Sequence, residues 1–105
     1  MPREISVSEL ASRLRAAEPL LLLDVREPWE RAIAHLPGDV HVPMDEIPRR
    51  AGELAGGPLV VVYCHAGVRS FAVAAFLEQQ GLEAVSLAGG IDAWADEVDP
   101  RMARY

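Results

Sequence analysis

The chain holds a single cysteine, Cys64, followed by His65-Ala66-Gly67-Val68-Arg69-Ser70, residue types that favour a charged sulfur. A thiolate is the nucleophilic form of cysteine, and it forms most readily where backbone N–H groups, a helix N-terminus and a cation converge. Gly67 permits a left-handed turn, Arg69 carries a permanent positive charge, and successive amides in such a loop make a nest for a small anion. The combination predicts a larger thiolate fraction at Cys64 than a free cysteine has. The competing reading is a buried cysteine that only fills space. Gly67, Arg69 and a following helix would be an unusual setting for inert filler.

The elements around this loop must deliver it to a surface. Leu59-Val60-Val61-Val62-Tyr63 is a continuous apolar run, the pattern of a strand buried on both faces, and it leads directly into Cys64. Ser70 then opens a helix whose apolar residues Phe71, Ala74, Ala75 and Leu77 recur at helical spacing until Gly81. Upstream, Ser6 or Ser8 caps a first helix bearing Leu10, Ala11 and Leu14, and residues 20–25 form a second buried strand with Asp24 near its carboxyl end. A short helical stretch with Pro28, the turn Leu36-Pro37-Gly38-Asp39 and a short strand over 40–42 follow. Residues 44–54 read as a helix despite Pro48, and Gly56-Gly57-Pro58 ends it. A last strand at 84–87 leads through Gly89-Gly90 into a helix over 91–98. Strands alternating with helices imply an α/β domain whose parallel sheet is covered on both faces, with ligands at the carboxyl ends of the strands. The chain has 105 residues with no internal repeat or linker, so one domain over 1–105 is expected.

The segment from Cys64 to Ser70 resembles the active-site loop of the rhodanese family, whose pattern is cysteine, two variable residues, glycine, one variable residue and arginine. Three further segments agree with the family in order and spacing. Asp24-Val25-Arg26-Glu27 is similar to its acidic strand end, and His35-Leu36-Pro37-Gly38 to its His-apolar-Pro-Gly turn. Leu87-Ala88-Gly89-Gly90-Ile91-Asp92-Ala93-Trp94 is similar to the approach to its closing helix. Ala34 departs from the pattern, since the family commonly has glycine before the histidine.

The resemblance implies a rhodanese-like fold, with a central, mostly parallel sheet of about five strands and helices on both faces. It also implies a sulfurtransferase of the thiosulfate type. Cys64 would take sulfane sulfur from thiosulfate or a similar donor as a persulfide, then pass it to a small thiol, cyanide or a sulfur-carrier protein. The amides of His65, Ala66, Gly67, Val68, Arg69 and Ser70 would form the anion site. Because both steps are exchange at sulfur, no acid-base triad is required. The alternatives are a non-enzymatic rhodanese-fold module for binding or for sensing sulfide and oxidants, an arsenate reductase, and a phosphatase. Phosphatases of related fold have five residues between cysteine and arginine. Here four separate Cys64 from Arg69 and position 70 is serine, which disfavours phosphate.

Other residues carry weaker signals. His65 adjoins the nucleophile and is a candidate base or donor, but a loop side chain there can equally face solvent. His35 and His41 read as structural histidines at turn and strand ends. Asp24 and Arg26 stand at a buried strand end where charge persists only when paired, and Arg69 is the expected partner of Asp24, bracing the loop. Trp29 and Trp94 are expected to complete the core. One cysteine and three histidines lack metal-ligand spacing, so no metal is assigned. Gly89-Gly90 has neither a dinucleotide fingerprint nor a P-loop lysine, and no cofactor is implied. Residues 99–105 resemble the tail of rhodanese-like domains fused to adenylyltransferases that supply sulfur to carrier proteins. Packing of that segment on the domain is the simpler expectation.

Composition sets the outer bounds. A net charge of −6 argues against nucleic acid as a partner, so any anion site is local. All ten basic residues are arginine, which fits a GC-rich genome better than a functional device. Apolar runs are strand-sized, and Met1-Pro2-Arg3-Glu4 has no leader-type apolar core, so a cytoplasmic protein without a membrane partner is expected.

Overall fold

The computed structural model describes residues 3–105. Met1 and Pro2, where the segment read for a leader begins, lie outside the described residues. Five strands form one sheet in the order β1-β5-β4-β2-β3, and every neighbouring pair is parallel. They are β1 (Arg3–Ile5), β2 (Leu20–Asp24), β3 (Val40–His41), β4 (Leu59–Tyr63) and β5 (Ala84–Leu87). Five α-helices connect them: α1 (Val7–Arg15), α2 (Pro28–Ile33), α3 (Ile47–Arg50), α4 (Val68–Gln79) and α5 (Gly90–Glu97).

Because side chains alternate across a strand, β2, β4 and β5 feed two cores. Leu23, Val60, Val62 and Ala84 pack with Ile47 of α3 and with Val73, Ala74 and Leu77 of α4. Leu22, Val61, Tyr63, Val85 and Leu87 pack on the other face with Leu10 of α1 and with Ile91 and Trp94 of α5. Full burial of one such leucine is worth about 1.5–3 kcal/mol against leaving it in water, so these two layers hold the sheet. The register pairs Leu20 with Leu59 through to Asp24 with Tyr63, so β2 and β4 end side by side. That register places Asp24 and Cys64 at the same edge.

The elements differ from the sequence reading at β1, over residues 44–54 and at the start of α4, and agree with it at the α1 cap. Strand β1 is short and lies at the edge beside β5, with Ile5 buried and Arg3 and Glu4 exposed, which leaves little alternation to detect. Residues 44–54 form a 3₁₀ turn (Met44–Glu46), the single α-helical turn α3 and a second 3₁₀ turn (Ala51–Leu54). Pro48 sits in the first turn of α3, the one part of a helix that tolerates its missing N–H. Helix α4 begins at Val68, two residues before Ser70. Helix α1 is capped by Ser6, whose Oγ accepts from Glu9 N at 3.1 Å. Among the described residues no helix is long and apolar enough to cross a membrane.

Candidate functional site

Cys64 lies just past the end of β4, and its Sγ is met by neutral donors from the loop and first turn of α4. Gly67 N–H points to the sulfur at 3.2 Å and Ser70 N–H at 3.4 Å. The Ser70 hydroxyl stands 3.5 Å from it. Gly67 has φ +105, in the left-handed region, and a Cβ there would come within 3.2 Å of Gly89 N, so only glycine closes the loop without strain. Two carbonyls of the loop are occupied elsewhere. Ile91 N donates to Cys64 O at 2.9 Å and Asp92 N to His65 O at 3.0 Å. Gly90 makes that approach possible, since a Cβ on it would fall 2.4 Å from His65 O and 2.5 Å from Cys64 O. The start of α5 thus fixes the loop, and two of the six amides expected around the sulfur contact it. Cys64 itself is only 1% exposed.

The charged residues arrange themselves differently from the sequence reading. Asp24 does not pair with Arg69. Its Oδ1 accepts from Arg26 N and Nε, both at 2.9 Å, and its Oδ2 from Arg26 NH2 at 2.9 Å and Arg31 NH1 at 3.2 Å. Arg26 is near enough in sequence to fold back on the strand end and is fully buried in doing so. Arg69 pairs instead with Glu30 of α2, through two parallel bonds of 2.6 and 2.8 Å. Glu30 also accepts from Glu27 N, which holds its carboxylate at the helix start. The Arg69 hydrogen bonds draw the Glu30 carboxyl down to about 2, helped by Glu27 N–H and Tyr105 and opposed by burial.

Tyr105 completes this cluster. Its hydroxyl donates to Glu30 Oε2 at 2.7 Å and accepts from Arg26 NH1 at 3.0 Å. Burial pushes its phenol up to about 12. The Tyr105 ring lies 4.3 Å from the His65 ring and edge-on to Trp29 at 5.7 Å. Arg104 ties the same segment to α5 through Asp92 at 2.6 Å and Asp96 at 2.9 Å. The tail therefore packs on the protein beside the Cys64 loop. His65 Nδ1 is buried without a hydrogen-bond partner.

The remaining candidates separate cleanly. His35 Nδ1 contacts Leu36 O and Asp39 Oδ1, and His41 Nε2 contacts Arg26 O at 2.7 Å, which are structural roles. Trp94 is 8% exposed and belongs to the core. Trp29 does not, at 62% exposed, because α2 carries it outward, where its ring meets that of Tyr105. Ala34 is extended (φ −166), a conformation open to any residue, so the missing family glycine costs nothing there. Among the described residues no three His, Cys, Asp or Glu side chains gather as a metal site would require. Sequence reasoning missed Glu30 and Tyr105. Glu30 could have been found from the Glu27-to-Glu30 spacing after a strand end, a capping pattern, but Tyr105 offers no local signal.

Known proteins resemble the chain along most of its length. The profile of the Rhodanese-like domain matches residues 6–97. A sulfurtransferase of Allochromatium vinosum is 43% identical over 96 residues, covering 90% of each chain. YtwF of Bacillus subtilis, provisionally named a sulfurtransferase, is 37% identical over 99 residues, 94% of this chain and 96% of that one. The crystal structure of a rhodanese-like domain protein from Staphylococcus aureus superposes with a TM-score of 0.84 at 34% identity, covering 91% and 94% of the two chains. By sequence and by overall fold, the chain belongs to the rhodanese-like domain family.

Proposed function

We propose that the chain is a sulfurtransferase that carries sulfane sulfur on Cys64 as a persulfide, acting as one unit over its whole length. The observation that supports this most is the convergence of Gly67 N–H, Ser70 N–H and the Ser70 hydroxyl on one sulfur at a strand end. In the first step the Cys64 thiolate attacks the outer sulfur of thiosulfate. The new S–S bond forms as the old one breaks, and sulfite leaves with the bonding pair. In the second, a thiolate or cyanide attacks the outer sulfur of the persulfide, and Cys64 departs as thiolate. Neither step needs a metal, a redox cofactor or a base on the protein.

Each group has a stated task. Hydrogen-bond donors fixed by the fold stabilise charge on sulfur without having to reorganise during the reaction. Val68 and Arg69 N–H, as the first amides of α4, have no intrahelical acceptor, and in this reading they receive the oxygens of a sulfonate or the outer sulfur. Arg69, with 34% of its side chain exposed, offers positive charge to an arriving anion while Glu30 holds its orientation. Since Cys64 is 1% exposed, entry of a donor requires movement of residues around the loop. A sulfur-carrier protein is a fitting acceptor, because Val68 at 80% and Trp29 at 62% exposure offer apolar contact surface on the loop and on α2. The test is steady-state kinetics with thiosulfate and cyanide. Parallel double-reciprocal lines are expected for a covalent sulfur carrier, and intersecting lines that persist in Cys64→Ser would place the chemistry elsewhere.

A further inference from the structure

Ser86 is a buried hydroxyl on an otherwise apolar face of the sheet. It shares the α4-facing side of β5 with Ala84, among Val60, Val62 and Val73, and is 0% exposed. Its Oγ lies 2.8 Å from Ser70 Oγ, and Ser70, also 0% exposed, lies 3.5 Å from Cys64 Sγ. The three atoms form a chain running from β5 through the first turn of α4 to the reactive sulfur.

We infer that Ser86 is a positioning residue for the sulfur chemistry, acting through Ser70. A serine hydroxyl has one proton and two lone pairs, and a thiolate can only accept. When Cys64 is ionised, the two hydroxyl protons must both run toward the sulfur: Ser86 donates to Ser70, and Ser70 donates to Sγ. A helical serine otherwise tends to give its proton to the carbonyl one turn back, here that of Ala66. Ser86 opposes this by filling a lone pair on Ser70 Oγ and polarising its O–H toward the sulfur, since linked hydrogen bonds strengthen one another. A purely structural pair predicts something different. Replacing both buried partners by apolar groups of like shape is nearly neutral, so stability alone gives no reason for hydroxyls at both positions.

This inference rests on Cys64 being the reactive sulfur, but its test needs no sulfur donor. The rate of Cys64 alkylation by iodoacetamide is followed from pH 5 to 10 in the full chain. The variants are Ser86→Ala, Ser70→Ala and the double variant, with folding checked by circular dichroism. The profile midpoint is expected to rise by about 1 pH unit in Ser70→Ala, the scale of a lost hydrogen bond to a charged group, and by about 0.5 in Ser86→Ala. The Ser86 substitution is expected to add nothing once Ser70 is alanine. Arg69, Glu30 and His65, the charged and titratable side chains around the loop, are the same in every variant. An unshifted Ser86→Ala profile, or an equal shift in the Ser70→Ala background, overturns the inference. If alanine at 86 prevents folding, Ser86→Thr and Ser86→Val make the same comparison. They match in shape and differ in the hydroxyl, so only valine is expected to shift the midpoint, and identical profiles overturn the idea. Absence of sulfur transfer in the unsubstituted chain, with these shifts intact, would count against the proposed function and leave the role of Ser86 standing.

Discussion

Strands β2 and β4 end side by side, yet their ends are built on opposite principles. The β2 end is saturated with charge: Asp24 accepts four hydrogen bonds, three from arginine side chains and one from the Arg26 backbone. The β4 end presents a sulfur to two neutral amides and a hydroxyl. A carboxylate whose oxygens are all taken by arginine donors is held in place, so it braces. A sulfur facing pre-set neutral donors can take on charge, accept another atom and return. The difference shows why buried charge beside a site is a poor guide to chemistry, while convergent donors are a better one.

The largest effects should separate the two ends. Cys64→Ser is expected to abolish sulfur transfer and leave the urea midpoint close to that of the parent. Asp24→Ala is expected to cost about 3–5 kcal/mol by leaving Arg26 buried without its counter-charge, with activity lost through unfolding. Urea titration and turnover on the same samples check both. A stable Asp24→Ala protein without activity would break the comparison by placing Asp24 in the chemistry.

A smaller effect tests the link between the ends. Glu30 is held near 2, below its ordinary 4.5, so the folded state favours its charged form. That contribution is complete above the unfolded value, near pH 4.5, and is lost as pH falls toward 2. Solvent screening of the partly exposed Arg69 limits it to about 2 kcal/mol. Glu30→Gln should lower stability at pH 7 and flatten the acid limb between pH 4.5 and 2, as read by urea midpoints across that range. An unchanged acid limb would mean that Glu30 does not hold Arg69.

The smallest expected effect lies at the tail. Tyr105→Phe removes the hydroxyl shared by Arg26 and Glu30 and should cost about 1 kcal/mol, because two part-buried hydrogen bonds are lost. Iodoacetamide labelling of the native protein should become modestly faster if the tail restrains the loop through His65. Labelling at the parent rate would separate the tail from access to Cys64.

Much of this site was legible before any coordinates because its signals are local. Strand β4, Gly67 and the start of α4 are adjacent in the chain, so residue order alone brings donors to Cys64. The alternation of strands and helices likewise fixed the parallel sheet. What sequence reasoning missed depends on distant contacts. Asp24 was expected to pair with Arg69, but Arg26 reaches it from two residues away, and Glu30, 39 residues before Arg69, takes that arginine instead. Ser86 becomes informative only when β5 lies beneath α4, and Trp29 only when α2 turns it outward. Strand β1 has one buried residue and so left almost no pattern.

The central claim is tested most directly by weighing the intact protein after incubation with thiosulfate and removal of excess reagent. A mass increase of one sulfur atom, located on Cys64 by peptide mapping and discharged by cyanide as thiocyanate, is the predicted result. A protein that keeps its original mass while folded and reduced, or that gains sulfur equally well as Cys64→Ser, would contradict it.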